Sequence, residues 1–117
     1  MQEERRQNVR VRPASDYDIL VDYQEGLVKV QLSVMDMAVG GVGLLVDELF
    51  AHLEVGSLLQ LGLAIPGYER FETEAVLRHS TREVGGRCGL HFPALTDEQQ
   101  AAWGRAVSEL LERGHSA

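Results

Sequence analysis

The chain has 117 residues, 44% of them hydrophobic and 25% charged, which is the balance of an ordinary globular protein with one domain and one core. Its formal net charge of −7 repels nucleic acid overall, so a polyanionic ligand has to meet a local basic patch, and no nucleic acid polymer is expected as a partner. Cys88 is the only cysteine, which excludes an intrachain disulfide; with no apolar run near the ~18 residues that cross a bilayer and no apolar stretch of a signal peptide in Met1-Gln-Glu-Glu-Arg-Arg, the expectation is a cytoplasmic chain without membrane insertion.

Residues 1–15 are polar and read as a flexible N-terminal arm. Arg5, Arg6, Arg10 and Arg12 are four of the eleven basic residues and form the one concentrated basic patch. Tyr17, Ile19, Val21 and Tyr23 then alternate with polar positions, Glu25-Gly26 marks a tight turn, and Val28, Val30, Leu32 and Val34 alternate again. Period two on both sides of a glycine turn predicts a hairpin. The glycine-rich stretch Val39 to Gly43 reads as a turn, with a short strand at Leu44–Val46. Asp47 to Glu54 reads as one helical turn or an irregular loop.

Leu59, Leu61, Leu63 and Ile65 alternate in the next strand, which ends at the Pro66-Gly67 turn. Phe71, Thr73, Ala75 and Leu77 line one face of another strand, and Cys88, Leu90 and Phe92 line the last. The period then changes. Thr96-Asp97-Glu98-Gln99 is a capping box, and Trp103, Ala106, Val107, Leu110 and Leu111 form an apolar stripe at helical spacing, predicting a helix over about 96–113 that ends near Gly114. The spacing of the elements suggests a small barrel over residues 16–113, with the helix packed on it.

No catalytic pattern emerges: there is no Gly-x-Ser-x-Gly, no P-loop, no His-Glu-x-x-His and no paired CxxC. His79 and His91 have no carboxylate or cysteine at ligand spacing, so no metal site is expected. Cys88 alternates with Leu90 and Phe92 and reads as a core thiol.

Two local signatures remain. One is Arg6-Gln7-Asn8-Val9-Arg10, preceded by Arg5; the other is Asp36-Met37-Ala38-Val39-Gly40-Gly41, in the loop leaving the second strand. In this order and on this strand pattern they resemble the PilZ family, which carries RxxxR in an N-terminal loop and (D/N)xSxxG roughly thirty residues further on. Arg6 and Arg10 match the first motif, and Asp36 and Gly41 the second. Gly89-Leu90-His91-Phe92 followed by a helix resembles the end of such a domain. The resemblance spans about Arg5 to Arg113. Ala38 departs from it, standing where the family has serine. One neutral hydrogen bond is worth ~0.5–1.5 kcal/mol, so the change implies a roughly three- to tenfold loss of affinity for any ligand.

The resemblance implies an all-β fold: a six-stranded antiparallel PilZ-type barrel with a C-terminal α-helix. It implies a bacterial receptor or adaptor for cyclic di-GMP, with no enzymatic activity, no cofactor and no metal. The ligand residues would be Arg5, Arg6, Arg10, Asp36, Ala38, Gly40 and Gly41. Forked guanidinium groups suit phosphate oxygens and the O6/N7 edge of guanine. A carboxylate at Asp36 suits the guanine N1–H and N2–H edge. Glycines let the backbone approach a ligand. Arg5 would stack on an exposed guanine and favour a second nucleotide. A downstream effector protein would read the ligand-induced change, with motility, biofilm, exopolysaccharide or virulence as outputs. The receptor would be a monomer or a ligand-promoted dimer, either free-standing or part of a larger protein. Two other readings stand beside it: a degenerate PilZ interaction module that binds no nucleotide, supported by Ala38, and a small OB-type nucleic-acid binder, which seven aromatics in an acidic chain support poorly.

Overall fold

Alternating apolar residues bury one face of each strand, and the strands pair so that these faces share one interior. In the computed structural model, which describes residues 9–116, seven strands of the described chain form one sheet. They are β1 (Leu20–Glu25), β2 (Val28–Leu32), β3 (Val34–Ala38), β4 (Gly41–Leu45), β5 (Leu58–Ala64), β6 (Phe71–Ser80) and β7 (Arg87–His91), followed by helix α1 (Asp97–Glu112). The order is β2-β1-β5-β6-β7-β4-β3, and each neighbouring pair is antiparallel.

The connectivity forces this sheet to curl. β2 and β3 lie at opposite edges, yet only Ser33 separates them in sequence. Seven flat strands would put the edges about 29 Å apart, whereas two residues of chain span at most ~7 Å. The edges therefore come together at Ser33, whose carbonyl accepts from the Leu45 N–H at 2.9 Å.

The interior is formed by Val21 and Tyr23 of β1, Leu61 and Leu63 of β5, Ala75 and Leu77 of β6, Cys88 and Leu90 of β7, and Val42 and Leu44 of β4. Register places Val21 opposite Leu63 and Tyr23 opposite Leu61. A 3-10 turn at Phe50–His52 buries Phe50, which meets the Tyr23 ring edge-on at 5.2 Å. α1 contributes Ala102, Trp103, Ala106, Val107 and Leu110. Both hydrogen bonds of its N-terminal capping box are formed: Gln99 N–H donates to Thr96 Oγ1, and Thr96 N–H donates to Gln99 Oε1, each at 3.1 Å. The helix is followed by Gly114 at φ 83°.

Three expectations are corrected. The sheet has seven strands rather than six, because Asp36–Ala38, read as a loop, belongs to β3. A bulge between Val34 and Asp36 makes Met35 an extra residue, so β3 loses the strict alternation that reveals a strand. Gly41 and Gly43, read as turn residues, lie inside β4. β1 begins at Leu20, while Tyr17 instead bridges Ala14.

Val11, within the stretch read as an arm, is fully buried. Its N–H and carbonyl pair with the carbonyl and N–H of Met37, both at 2.8 Å, and the neighbouring Arg12 N–H donates to His115 O at 2.7 Å.

Candidate functional site

The Val11–Met37 bridge is antiparallel, so it places Arg10 alongside β3 with its side chain away from the core. Arg10 Nη1 donates to Asp36 Oδ1 at 2.8 Å. The two motif fragments, 26 residues apart in sequence, thus meet in an ion pair. Arg5 and Arg6 lie outside the described residues.

Asp36 is met from the other side by Arg87 of β7. Arg87 Nη2 donates to Asp36 Oδ1 at 2.9 Å and to Oδ2 at 3.0 Å, and Nε to Oδ2 at 3.2 Å. Arg87 Nη1 lies 3.1 Å from His79 Nε2. A guanidinium carries only donors, so this geometry assigns His79 Nε2 as the acceptor and puts the ring proton on Nδ1.

Glycines explain how so many polar groups lie flat on a sheet. Gly43 and Gly89 are direct cross-strand partners on β4 and β7. A Cβ at Gly43 would meet Asp36 Oδ1 and Arg87 Nη2, and one at Gly89 would meet the His79 ring. At Gly41 a Cβ would meet the Leu90 carbonyl, so the absence of a side chain there permits close approach of β4 and β7. These glycines do not have positive φ; their role is space and not turn conformation.

Beside this floor lies an open cleft of about 220 Å³. Arg10, Ala38, Gly40 and Gly41 line one side, and Arg78, His79, Gly89 and His91 the other. A second bulge, between Leu77 and His79, makes Arg78 an extra residue, so both Arg78 and His79 are exposed. In a chain of net charge −7, Arg10 and Arg78 line this cleft, and Arg87 shares the single carboxylate of Asp36 with Arg10. Such a place attracts anions.

Of the expected site residues, Arg10, Asp36, Ala38, Gly40 and Gly41 come together here. The sequence reading missed Arg78, Arg87, His79 and His91 as site neighbours, and Gly43 and Gly89 as its floor. Ala38 is bound from behind as well: the Trp103 indole N–H donates to its carbonyl at 2.7 Å in a buried hydrogen bond, with Phe92 edge-on to Trp103 at 5.2 Å. Cys88, on the inner side of β7, is fully buried. Desolvation raises its thiol pKa to about 11 despite a backbone hydrogen bond involving Leu44, which leaves it a poor nucleophile near neutral pH. Among the described residues no group of three or more His, Cys, Asp and Glu is placed to hold a metal ion, and no helix is long and apolar enough to cross a membrane.

A search of curated protein sequences finds no match. Among solved structures, the chain is similar to the PilZ domain of YcgR from Escherichia coli with c-di-GMP, at 15% identity and TM-score 0.69, covering 93% of this chain and 94% of that one. It is similar to MrkH of K. pneumonia in complex with c-di-GMP, at 16% identity and TM-score 0.71, covering 93% and 53%. It is also similar to the Bacillus subtilis inhibitor of motility MotI/DgrA, at 19% identity and TM-score 0.66, covering 92% and 52%. The chain thus spans about half the length of the MrkH and MotI chains. These likenesses establish the fold. The PilZ domain family model matches residues 4–109, nearly the whole chain, and the chain belongs to the PilZ domain family.

Proposed function

We propose that this domain is a receptor for cyclic di-GMP that works by binding and not by catalysis. The observation that carries the reading is the Arg10–Asp36 ion pair at 2.8 Å, which joins the two motif fragments at the edge of a basic, glycine-floored cleft. The ligand has two phosphates and two guanines. Guanidinium groups at Arg6 and Arg10 grip phosphate or the guanine O6/N7 edge, and Gly40 and Gly41 keep the near wall low. Arg10 has a side chain 46% exposed, so it can leave Asp36 for a phosphate. That exchange frees lone pairs of Asp36 for the N1–H and N2–H edge of guanine.

A cleft of about 220 Å³ is smaller than the roughly 300–1,000 Å³ of ordinary small-molecule sites. In this reading the N-terminal arm, with Arg5 and Arg6, completes the site by closing over the ligand. Arg5 stacks on a guanine and favours a second nucleotide. Closure changes the surface shown to a downstream effector protein in the cytoplasm, with motility, biofilm, exopolysaccharide or virulence as the outputs that family membership suggests.

Isothermal titration with cyclic di-GMP tests this directly, with Arg6→Ala/Arg10→Ala as control and Arg5→Ala for stoichiometry. Micromolar or tighter binding that the double variant abolishes is the expected result. No heat, together with a melting temperature unmoved by excess ligand, would favour the second reading: a PilZ interaction module that has given up the nucleotide, to which Ala38 points.

A further inference from the structure

We infer that Arg87 is a positioning residue of this site, clamping Asp36 in place so that Arg10 is free to exchange partners. The inference rests on the cyclic di-GMP reading of the cleft. It concerns a residue that lies in neither motif, 51 positions beyond Asp36 in sequence.

Three observations carry it. First, the geometry is two-pronged: Arg87 reaches Asp36 through both Nε and Nη2, at 3.2, 2.9 and 3.0 Å, whereas Arg10 reaches it through Nη1. A planar fork fixes a carboxylate in orientation as well as position. Second, burial ranks the two arginines. The Arg87 side chain is 30% exposed, that of Arg10 is 46% and that of Asp36 is 15%, so Arg87 is the more restrained partner. Third, Arg87 is itself held. Its Nη1 donates to His79 Nε2 at 3.1 Å, and Gly43 and Gly89 leave room for the guanidinium and the imidazole to lie against the sheet. An assembly across β3, β4, β7 and β6 therefore determines where the Asp36 carboxylate points.

The charge arithmetic favours the same role. Asp36 with Arg10 alone is a neutral pair. Adding Arg87 leaves a net charge of +1, so a dianionic ligand still meets positive potential after Asp36 is counted.

The experiment combines two measurements on the full chain. Without ligand, the Arg87 Nε–Hε NMR signal is expected to be resolved and protected from exchange in wild type, and to become solvent-like in Asp36→Ala. A solvent-like signal in wild type overturns the clamp whatever the ligand. With cyclic di-GMP, Arg87→Ala is expected to lower affinity about tenfold, in line with hydrogen bonds to a charged group. Arg87→Lys should recover part of that loss, because it keeps charge without the fork. Asp36→Ala/Arg87→Ala should bind no more weakly than Asp36→Ala alone, since Arg87 acts through Asp36. Wild-type affinity in Arg87→Ala overturns the inference, and so do losses that multiply in the double variant, which would make Arg87 a direct ligand contact. If wild type gives no heat, the receptor reading fails, and the Arg87 signal separately decides whether the clamp exists.

Discussion

Replacing Trp103 with phenylalanine isolates the bond that ties α1 to the motif strand. The indole N–H donates to the Ala38 carbonyl at 2.7 Å, and Trp103 is fully buried. Phenylalanine keeps an aromatic ring near Phe92 but removes the donor, leaving a buried carbonyl short of a partner at a cost of about 1–3 kcal/mol. The smaller ring also leaves a void worth roughly 1 kcal/mol. The sum, about 2–4 kcal/mol, is a large share of the ~5–15 kcal/mol that holds a domain of this kind together. At about 4 °C per kcal/mol, it corresponds to a fall in melting temperature of roughly 8–16 °C. Trp103 is the only tryptophan, so the variant loses its fluorescence probe, and urea unfolding followed by far-UV circular dichroism is the suitable assay. A lower midpoint at unchanged slope is expected. A loss below about 0.5 kcal/mol, the scatter of unremarkable surface substitutions, would refute the view that this bond anchors β3.

Ala38→Ser adds a hydroxyl at a position lining the cleft; titration should show cyclic di-GMP binding about fivefold tighter, the value of one neutral hydrogen bond, and unchanged affinity would show that a hydroxyl at this position makes no bond to the ligand. Gly43→Ala puts a Cβ into space shared by Asp36 Oδ1 and Arg87 Nη2, so ligand affinity should drop by an amount similar to Arg87→Ala, and wild-type affinity would count against the glycine floor. Burial raises the Cys88 thiol to about 11, so a thiol reagent at pH 8 should label the chain only after denaturation. The unfolded thiol ionises near 8.5, so between about pH 8.5 and 11 the unfolded state binds fewer protons, and Cys88 makes stability decline as pH rises. Hydrogen bonds from Arg70, at 3.1 and 2.7 Å, hold the Asp22 carboxyl below its ordinary range in spite of desolvation. A depressed folded value means that this stabilisation is present above the unfolded value and lost as pH falls through the folded one. Asp22→Asn should therefore cost ~1 kcal/mol at pH 7, allowing for exposure, and the gap to wild type should narrow once pH drops below about 4. A gap independent of pH would assign the loss to something other than charge.

Period two located the strands whose apolar faces are regular. Val21 and Tyr23, Leu59 to Leu63, and Phe71 to Leu77 alternate because each must turn every second side chain to one interior, and Thr96 with Gln99 marked the start of α1 because capping is local chemistry. β3 escaped notice for the converse reason. Met35 is a bulge residue, and one extra residue breaks the alternation, while the glycines after it read as a turn although Gly41 and Gly43 run within β4. The site followed the same division. Arg10 and Asp36 were legible through motif spacing, which is a property of the chain read in order. Arg87 was not, because its partnership with Asp36 exists only after β7 and β3 have both paired with β4, and an arginine on a strand's outer face otherwise reads as solvated surface.

A signal for this arrangement was nonetheless present. Gly43 and Gly89 each interrupt a strand where a side chain would ordinarily stabilise it, and glycine inside a strand costs stability unless something must come close. Both are on the outer face, where no core packing demands a small residue, so the close approach they permit has to be made by polar groups lying across the sheet. Arg87 and His79 are the groups that do so. A glycine on the solvent side of a barrel strand is thus a pointer to the residues that cover it. Here Arg87, which holds Asp36, also contacts His79, which lines the cleft, so the two glycines lie under a continuous polar link from β3 to β6.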